Sequence, residues 1–211
     1  MGVTLDLTGD GGIWIQRDGV TLAVNGTVNA PPNRIGFDTG SGARSMTING
    51  NGTINLAGKG SLLIVWSGDG VARKLTLDGV TLVGIADNDQ PLVRTGVDGE
   101  LVMVNGAITG NSTSHPCAGV FVDQGGIFTM SGGTISGNTS TNDNGGGLLV
   151  YWGTFTMEDG TVSGNSSIRG GVGVRGGTFT FIGGTIYGAS AEKTEKQITQ
   201  VVIMVSRWLC G

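Results

Sequence analysis

Histidine occurs once in this chain, cysteine twice and proline four times. Each scarcity closes a class of protein. The lone His115 with Cys117 and Cys210 cannot complete a zinc ligand set or a disulfide framework. Four prolines, and glycines without a triplet period, exclude collagen. Charged residues are only 13% of the chain, which a disordered segment would exceed. The net charge of −4 and a pI near 4.8 give no basic footprint for nucleic acid or an anionic membrane. No apolar stretch approaches the roughly 20 residues of a membrane-spanning helix. The opening Met1-Gly2-Val3-Thr4-Leu5-Asp6 has neither a basic n-region nor an apolar h-region, so no signal peptide is visible.

What is abundant is glycine, 42 of 211 residues, against a usual share near 7%. Short apolar runs lie between glycine-rich turns, the pattern of an all-β chain. The runs repeat. Residues 128–138 read Phe-Thr-Met-Ser-Gly-Gly-Thr-Ile-Ser-Gly-Asn, and residues 155–165 read Phe-Thr-Met-Glu-Asp-Gly-Thr-Val-Ser-Gly-Asn. Residues 179–188 read Phe-Thr-Phe-Ile-Gly-Gly-Thr-Ile-Tyr-Gly. With degenerate copies upstream, the first apolar residue of each copy falls at 22, 46, 75, 101, 128, 155 and 179. Steps of 24 to 29 residues suit a solenoid whose loops absorb insertions, not a coiled coil.

Each copy contains three strand-like pieces. The first is of the Phe-Thr-Met type and the second of the Gly-Thr-Ile-Ser type. The third is more apolar, as in Leu63-Ile64-Val65 and Val120-Phe121-Val122. Three strands per copy predict a right-handed parallel β-helix of about seven three-strand coils over residues 1–188. Side chains alternate across a strand. Stacking then puts Phe128, Phe155 and Phe179 in one buried column, and Met103, Met130, Met157 and Phe181 in another. Ile108, Ile135, Val162 and Ile186 form a third, while Thr129, Thr156 and Thr180 face out, exposed. Corners such as Gly132-Gly133 and Gly145-Gly146-Gly147 turn the chain. Asn111, Asn138 and Asn165 recur after glycine, where asparagine tolerates a left-handed turn and stacked amides bond coil to coil.

These repeats resemble pectin-lyase-like right-handed parallel β-helix repeat proteins over residues 13–188. Their wording, Gly-Gly-Thr-Ile-Ser-Gly-Asn, is similar to glycine-rich bacterial surface proteins. The Gly-Gly-x-Ile element (Gly132–Ile135 and Gly183–Ile186) resembles that of polymorphic outer-membrane adhesins. The resemblance implies a secreted or cell-surface protein. The fold hosts lyases, hydrolases and adhesins alike, so the chemistry must come from the residues.

Polysaccharide-cleaving β-helices need clustered carboxylates, or a carboxylate with a basic residue, on the outer face, and pectinase-type enzymes carry Asn-x-Asp, Asp-Asp and Gly-His-Gly signatures. This chain has none of those signatures. His115, in Ser114-His115-Pro116-Cys117, reads as a turn residue. Asp87-Asn88-Asp89 and Asn142-Asp143-Asn144 match no calcium-loop spacing and read as solvated turns. No catalytic residue, metal ligand or cofactor is expected. Aromatic residues outside the core carry the functional signal: Trp14 and Phe121 at outward positions of the third strand, and Trp66, Tyr151 and Trp152 just after it. Such rings either stack on sugars or cover loops. The expected function is a non-enzymatic, extracellular or surface β-helix module of adhesin-like or carbohydrate-contacting type. Its expected partner is a carbohydrate or cell-surface glycan. The alternative is a polysaccharide lyase- or hydrolase-like enzyme, or a degenerate fragment of one.

Composition changes at residue 189. Residues 189–210 hold no glycine but two of the four lysines and two of the four glutamates. Ile198, Val201, Val202, Val205 and Leu209 fall on one helical face. This predicts an amphipathic helix over roughly 191–209 that caps the open end of the stack. The β-branched run Val201-Val202-Ile203 argues for a strand instead. The unlike composition also permits a tail that is out of frame with its gene.

Overall fold

A computed structural model of the chain describes residues 4–7, 12–37, 42–142, 144–187 and the backbone of 201–204. It is an all-β parallel solenoid of about six turns, one fewer than the repeat count indicated. The second-type pieces form an eight-stranded parallel sheet from Thr4–Asp6 through Thr81–Val83 to Thr185–Ile186. The first-type pieces, Val20–Ala23 through Thr178–Phe181, are the seven parallel strands of a second sheet. The third face is interrupted. Leu63–Val65, Val93–Thr95, Val120–Val122, Leu148–Tyr151 and Val172–Arg175 form one sheet, and Ile13–Ile15 pairs with Ile35–Phe37 in a separate two-stranded one.

The repeat register is the pairing register. Phe128 pairs with Phe155 and Phe155 with Phe179. Their rings stack at 5.0 Å between centroids, with interplanar angles of 20° and 15°. That separation follows the roughly 4.8 Å rise between parallel strands, and each stacked pair adds about 1 kcal/mol beyond its buried area. The Met103–Met130–Met157–Phe181 column is buried, as are Ile108, Ile135 and Val162, while Ile186 at the end is half-buried. Thr129, Thr156 and Thr180 face outward but are half-buried rather than exposed, because each lies directly over the next.

The first copy needs a correction of two residues. Val20, not Leu22, pairs with Met46, and Leu22 pairs with Ile48. A slip of two keeps every side chain on its own face, so alternation alone does not resolve it.

Two glycine positions explain how the coil turns. Gly133, Gly160 and Gly184 have φ of +80°, +99° and +91°. A Cβ there would meet the methyl of Met103, Met130 or Met157 at 2.7 Å. The core methionine of one coil therefore packs under the corner glycine of the next. Gly110, Gly137 and Gly164 also have positive φ, 72°, 66° and 62°. The glycine, not the asparagine after it, takes the left-handed turn, and Asn111, Asn138 and Asn165 are fully buried. Asn138 Nδ2 donates to Asn165 Oδ1 at 3.0 Å, and Asn88 Nδ2 donates to Asn111 Oδ1 at 2.9 Å. The asparagines form an internal polar ladder. Gly145, Gly146 and Gly147 are not left-handed; they are glycine because a Cβ would strike the next coil, at 2.2 Å from the Ser166 carbonyl oxygen for Gly146.

The C-terminal helix is overturned where the chain is described. Val201–Met204 is a strand, antiparallel to Thr178–Phe181. The β-branched run prefers the extended backbone, and the last first-face strand offers an open edge. The rest of 189–211 lies outside the described residues. Among the described residues no helix is long and apolar enough to cross a membrane.

Candidate functional site

On the third face the middle residue of each strand points outward. This places Ile64, Arg94, Phe121, Leu149 and Gly173 in one outer column. A second column runs beside it, in which Tyr151 is paired with Arg175. Trp66, Gly96 and Asp123 occupy the equivalent place in earlier coils, one residue past each strand's inward end.

Arg94 organises the centre of this surface. Its guanidinium carbon lies 5.5 Å from the ring centroids of both Trp66 and Phe121. It also forms an ion pair with Asp123 on the next coil. An arginine between two rings with a carboxylate beside it is a rigid fixture. The same pairing occupies the Asp123 carboxylate.

Phe121 is not a free stacking surface, since only 8% of it is exposed. It packs with Cys117 and Leu149 in a small cluster outside the main core. His115 meets its ring edge-on at 5.2 Å and Tyr151 lies tilted at 6.1 Å. The His115 loop is tied down by its own backbone. The Ser140 hydroxyl donates to the His115 carbonyl at 2.6 Å, and the Cys117 amide donates to His115 Nδ1 at 3.2 Å. Burial holds the imidazole below its ordinary pKa, so at neutral pH the ring is uncharged. Nδ1 also lies 3.3 Å from the Cys117 carbonyl oxygen, so the local backbone contacts of the ring all fall on that nitrogen. Cys117 is fully buried and donates to the Val120 carbonyl at 3.1 Å. Burial pushes its pKa far up, which makes it an inert thiol. Cys210 lies outside the described residues.

Two shallow clefts adjoin on this surface. One of about 240 Å³ is bounded by His115, Pro116, Phe121 and Tyr151. The other, of about 310 Å³, is bounded by Arg169, Val172, Gly173 and Val174. Asn144, Leu149 and Arg175 line both. The lining of the smaller cleft is mainly apolar and that of the larger mainly polar. Gly173 admits the close approach of the Asn144 backbone, since a Cβ there would sit 1.6 Å from the Asn144 carbonyl oxygen. Asp143 lies outside the described residues.

The five aromatic candidates thus separate. Trp66, Phe121 and Tyr151 belong to one continuous surface through Arg94. Trp14, 45% exposed, lies over Gly36 on the separate strand pair. Trp152, 51% exposed, has φ +57°, and its indole covers Gly176. Equivalent corners use Gly125 and Gly176, both at positive φ; a tryptophan there carries roughly 1–2 kcal/mol of backbone strain. Sequence reasoning missed Arg94, Asn144, Leu149, Arg169 and Arg175 as members of the surface, and took His115 for a turn residue alone. The Tyr151–Arg175 neighbourhood had a signal: both follow the third-strand valines, Val150 and Val174.

The acidic turns behave as local structure. Asp87 pairs with Lys59 at 2.8 Å. Asn88 is buried in the asparagine ladder, where it bonds both the amide and the carbonyl of Gly60. Among the described residues no group of three or more His, Cys, Asp or Glu side chains gathers to hold a metal. No protein-family model, curated protein or solved structure matches the chain.

Proposed function

We propose that this protein is a non-enzymatic β-solenoid module, secreted or displayed at a cell surface, that contacts carbohydrate. The observation that carries the reading is the outer third face. Exposed Trp66 and Tyr151 lie on one rigid surface, and Tyr151 borders a cleft with an apolar floor and a rim of Asn144, His115 and Arg175. Sugars present an apolar ring face and a hydroxyl edge, which such a surface complements. The rings are fixed by the coil stack and by Arg94, so little side-chain freedom is lost on binding. What weighs against the enzymatic alternative is that no carboxylate stands among the described residues lining the two clefts.

A glycan-array screen of the intact chain, run beside a reducing-sugar release assay, tests this. Retention of a subset of glycans without release of reducing ends is the expected result. Sugar release that is lost on Asp123→Asn, or on replacing another outward acid, overturns it in favour of a lyase or hydrolase.

A further inference from the structure

We propose that the His115 ring is a pH-sensitive latch, seated against Phe121 while neutral and turned out toward the cleft once charged. The seat is a local one. The ring meets Phe121 edge-on at 5.2 Å, beside the small cluster that Phe121 forms with Cys117 and Leu149. That cluster is separate from the main core, so it can open while the coil stack stays closed. The loop backbone is fixed independently of the ring. The His115 amide donates to Thr113 Oγ1 at 2.9 Å, and the Ser140 hydroxyl donates to the His115 carbonyl at 2.6 Å. Neither contact uses the imidazole, so the side chain moves and the loop holds.

Charging the ring undoes its seat. The Cys117 amide donates to Nδ1 at 3.2 Å. An imidazolium carries a hydrogen on both nitrogens and accepts nothing, so that bond is lost on protonation. Burial is the first reason the seated ring resists the proton, and Arg94, held between Trp66 and Phe121, repels the charge as well. The Cys117 carbonyl, Asp123 and Asp89 act the other way. Of these, Asp123 is already paired with Arg94, and Asp89 is exposed to water. Arg175 and Tyr151 also bound the cleft beside the ring, one a second cation and the other a phenol. Turning out hydrates the charge without meeting an acid among the residues that line the cleft. It also bares Phe121, uncovers Cys117 and widens the apolar cleft of about 240 Å³. The cleft is therefore narrower at neutral pH and wider in acid.

His115 is the only histidine of the chain, so its ring signals in an NMR titration of the untagged full chain are unambiguous. Nuclear Overhauser contacts between the His115 and Phe121 rings should be present at neutral pH. They should vanish as the ring titrates, with a midpoint below the ordinary 6.5. Contacts that persist in the charged ring, or a midpoint at or above 6.5, overturn the latch. A second measurement follows Cys117, labelled with N-ethylmaleimide and located by peptide mapping so that Cys210 is counted apart. Its rate is read against glutathione at the same pH, which removes the ordinary loss of thiolate in acid. Relative protection should fall by up to about tenfold per pH unit below 6.5 and then level off, and low urea should leave it unchanged because the opening is local. In His115→Gln the protection should not vary between pH 7 and 5. Protection that is constant with pH in the unaltered chain, an equal fall in H115Q, or a fall that follows urea as global unfolding does overturns the proposal. The NMR arm needs no variant, so it decides even where H115Q does not fold.

Discussion

Replacing Asn138 with alanine should cost about 3 kcal/mol, far more than removing an asparagine from the outer surface. Asn138 is fully buried. Its Oδ1 accepts the Asn111 amide at 3.2 Å. Its Nδ2 donates to the carbonyls of Ile108 and Ser136 at 3.0 and 3.1 Å, and to Asn165 Oδ1 at 3.0 Å. Alanine removes these together and strands the Asn111 amide in the interior. A buried unpaired group costs about 1–3 kcal/mol, and each lost bond about 0.5–1.5 kcal/mol net. Asn29→Ala is the control. Asn29 accepts one bond, from Asn55 Nδ2 at 3.0 Å, at a half-buried outer position, so its loss should cost under about 1 kcal/mol. Urea unfolding followed by circular dichroism gives both values, provided the slope is shared. A broken interior rung can also uncouple the two halves of a solenoid, which a lowered slope in N138A would reveal. If N138A lies within about 1 kcal/mol of N29A at equal slope, the ladder is not what joins the coils on that side.

Ile135→Asp should lower stability by about 4 kcal/mol or more by placing an unpaired charge in the central column; Thr134→Ser should stay within about 0.5 kcal/mol, and equal thermal shifts would show the inward assignment to be wrong. His115 is held below its ordinary pKa of 6.5 by burial, so the unfolded chain takes up its proton first as pH falls. Stability should therefore drop between pH 6.5 and the lower folded value and then level off, and His115→Gln should remove that drop. The lowered carboxyls Asp18 and Asp69 act only below their ordinary 3.8, so a pH 7 to 5 melting series unchanged by H115Q refutes the assignment. A chain ending at residue 200 lacks the antiparallel strand that covers Thr178–Phe181 and should self-associate through the bare edge; light scattering identical to the full chain would refute this.

The fold was legible because stacking writes itself into the sequence. Phe128, Phe155 and Phe179 occupy one column because each coil repeats the same inward requirement. The sequence was silent where the requirement loosened. Thr81–Val83 joins the second face, but its Thr-Leu-Val lacks the Gly-Thr-Ile-Ser wording. The first copy was placed two residues off because alternation has a period of two. The tail was read as a helix because apolar spacing in Val201, Val202 and Val205 fits a helical face as well as it fits β-branched strand residues. An open sheet edge decided between them, and a sheet edge is not visible in a sequence.

The site was less legible than the fold, for a related reason. Inward positions are constrained by the coils above and below, so they repeat. Outward positions are released from that constraint. The first face repeats threonine even there, at Thr47, Thr76, Thr129, Thr156 and Thr180, with only Val102 between. The third face does the opposite: its outer column reads Ile64, Arg94, Phe121, Leu149 and Gly173, five different residues at five equivalent positions. Strand propensity accounts for a run of threonines; it does not account for an arginine, a phenylalanine and a glycine in one column. Each of these does something its column neighbours do not. Arg94 clamps two rings, Phe121 seats His115, and Gly173 admits the Asn144 backbone that lines the clefts. In a solenoid the place to look for a site is therefore where an outward column stops repeating. Such a break carries no motif, since its residues lie a full coil apart in the chain and meet only after the coils stack.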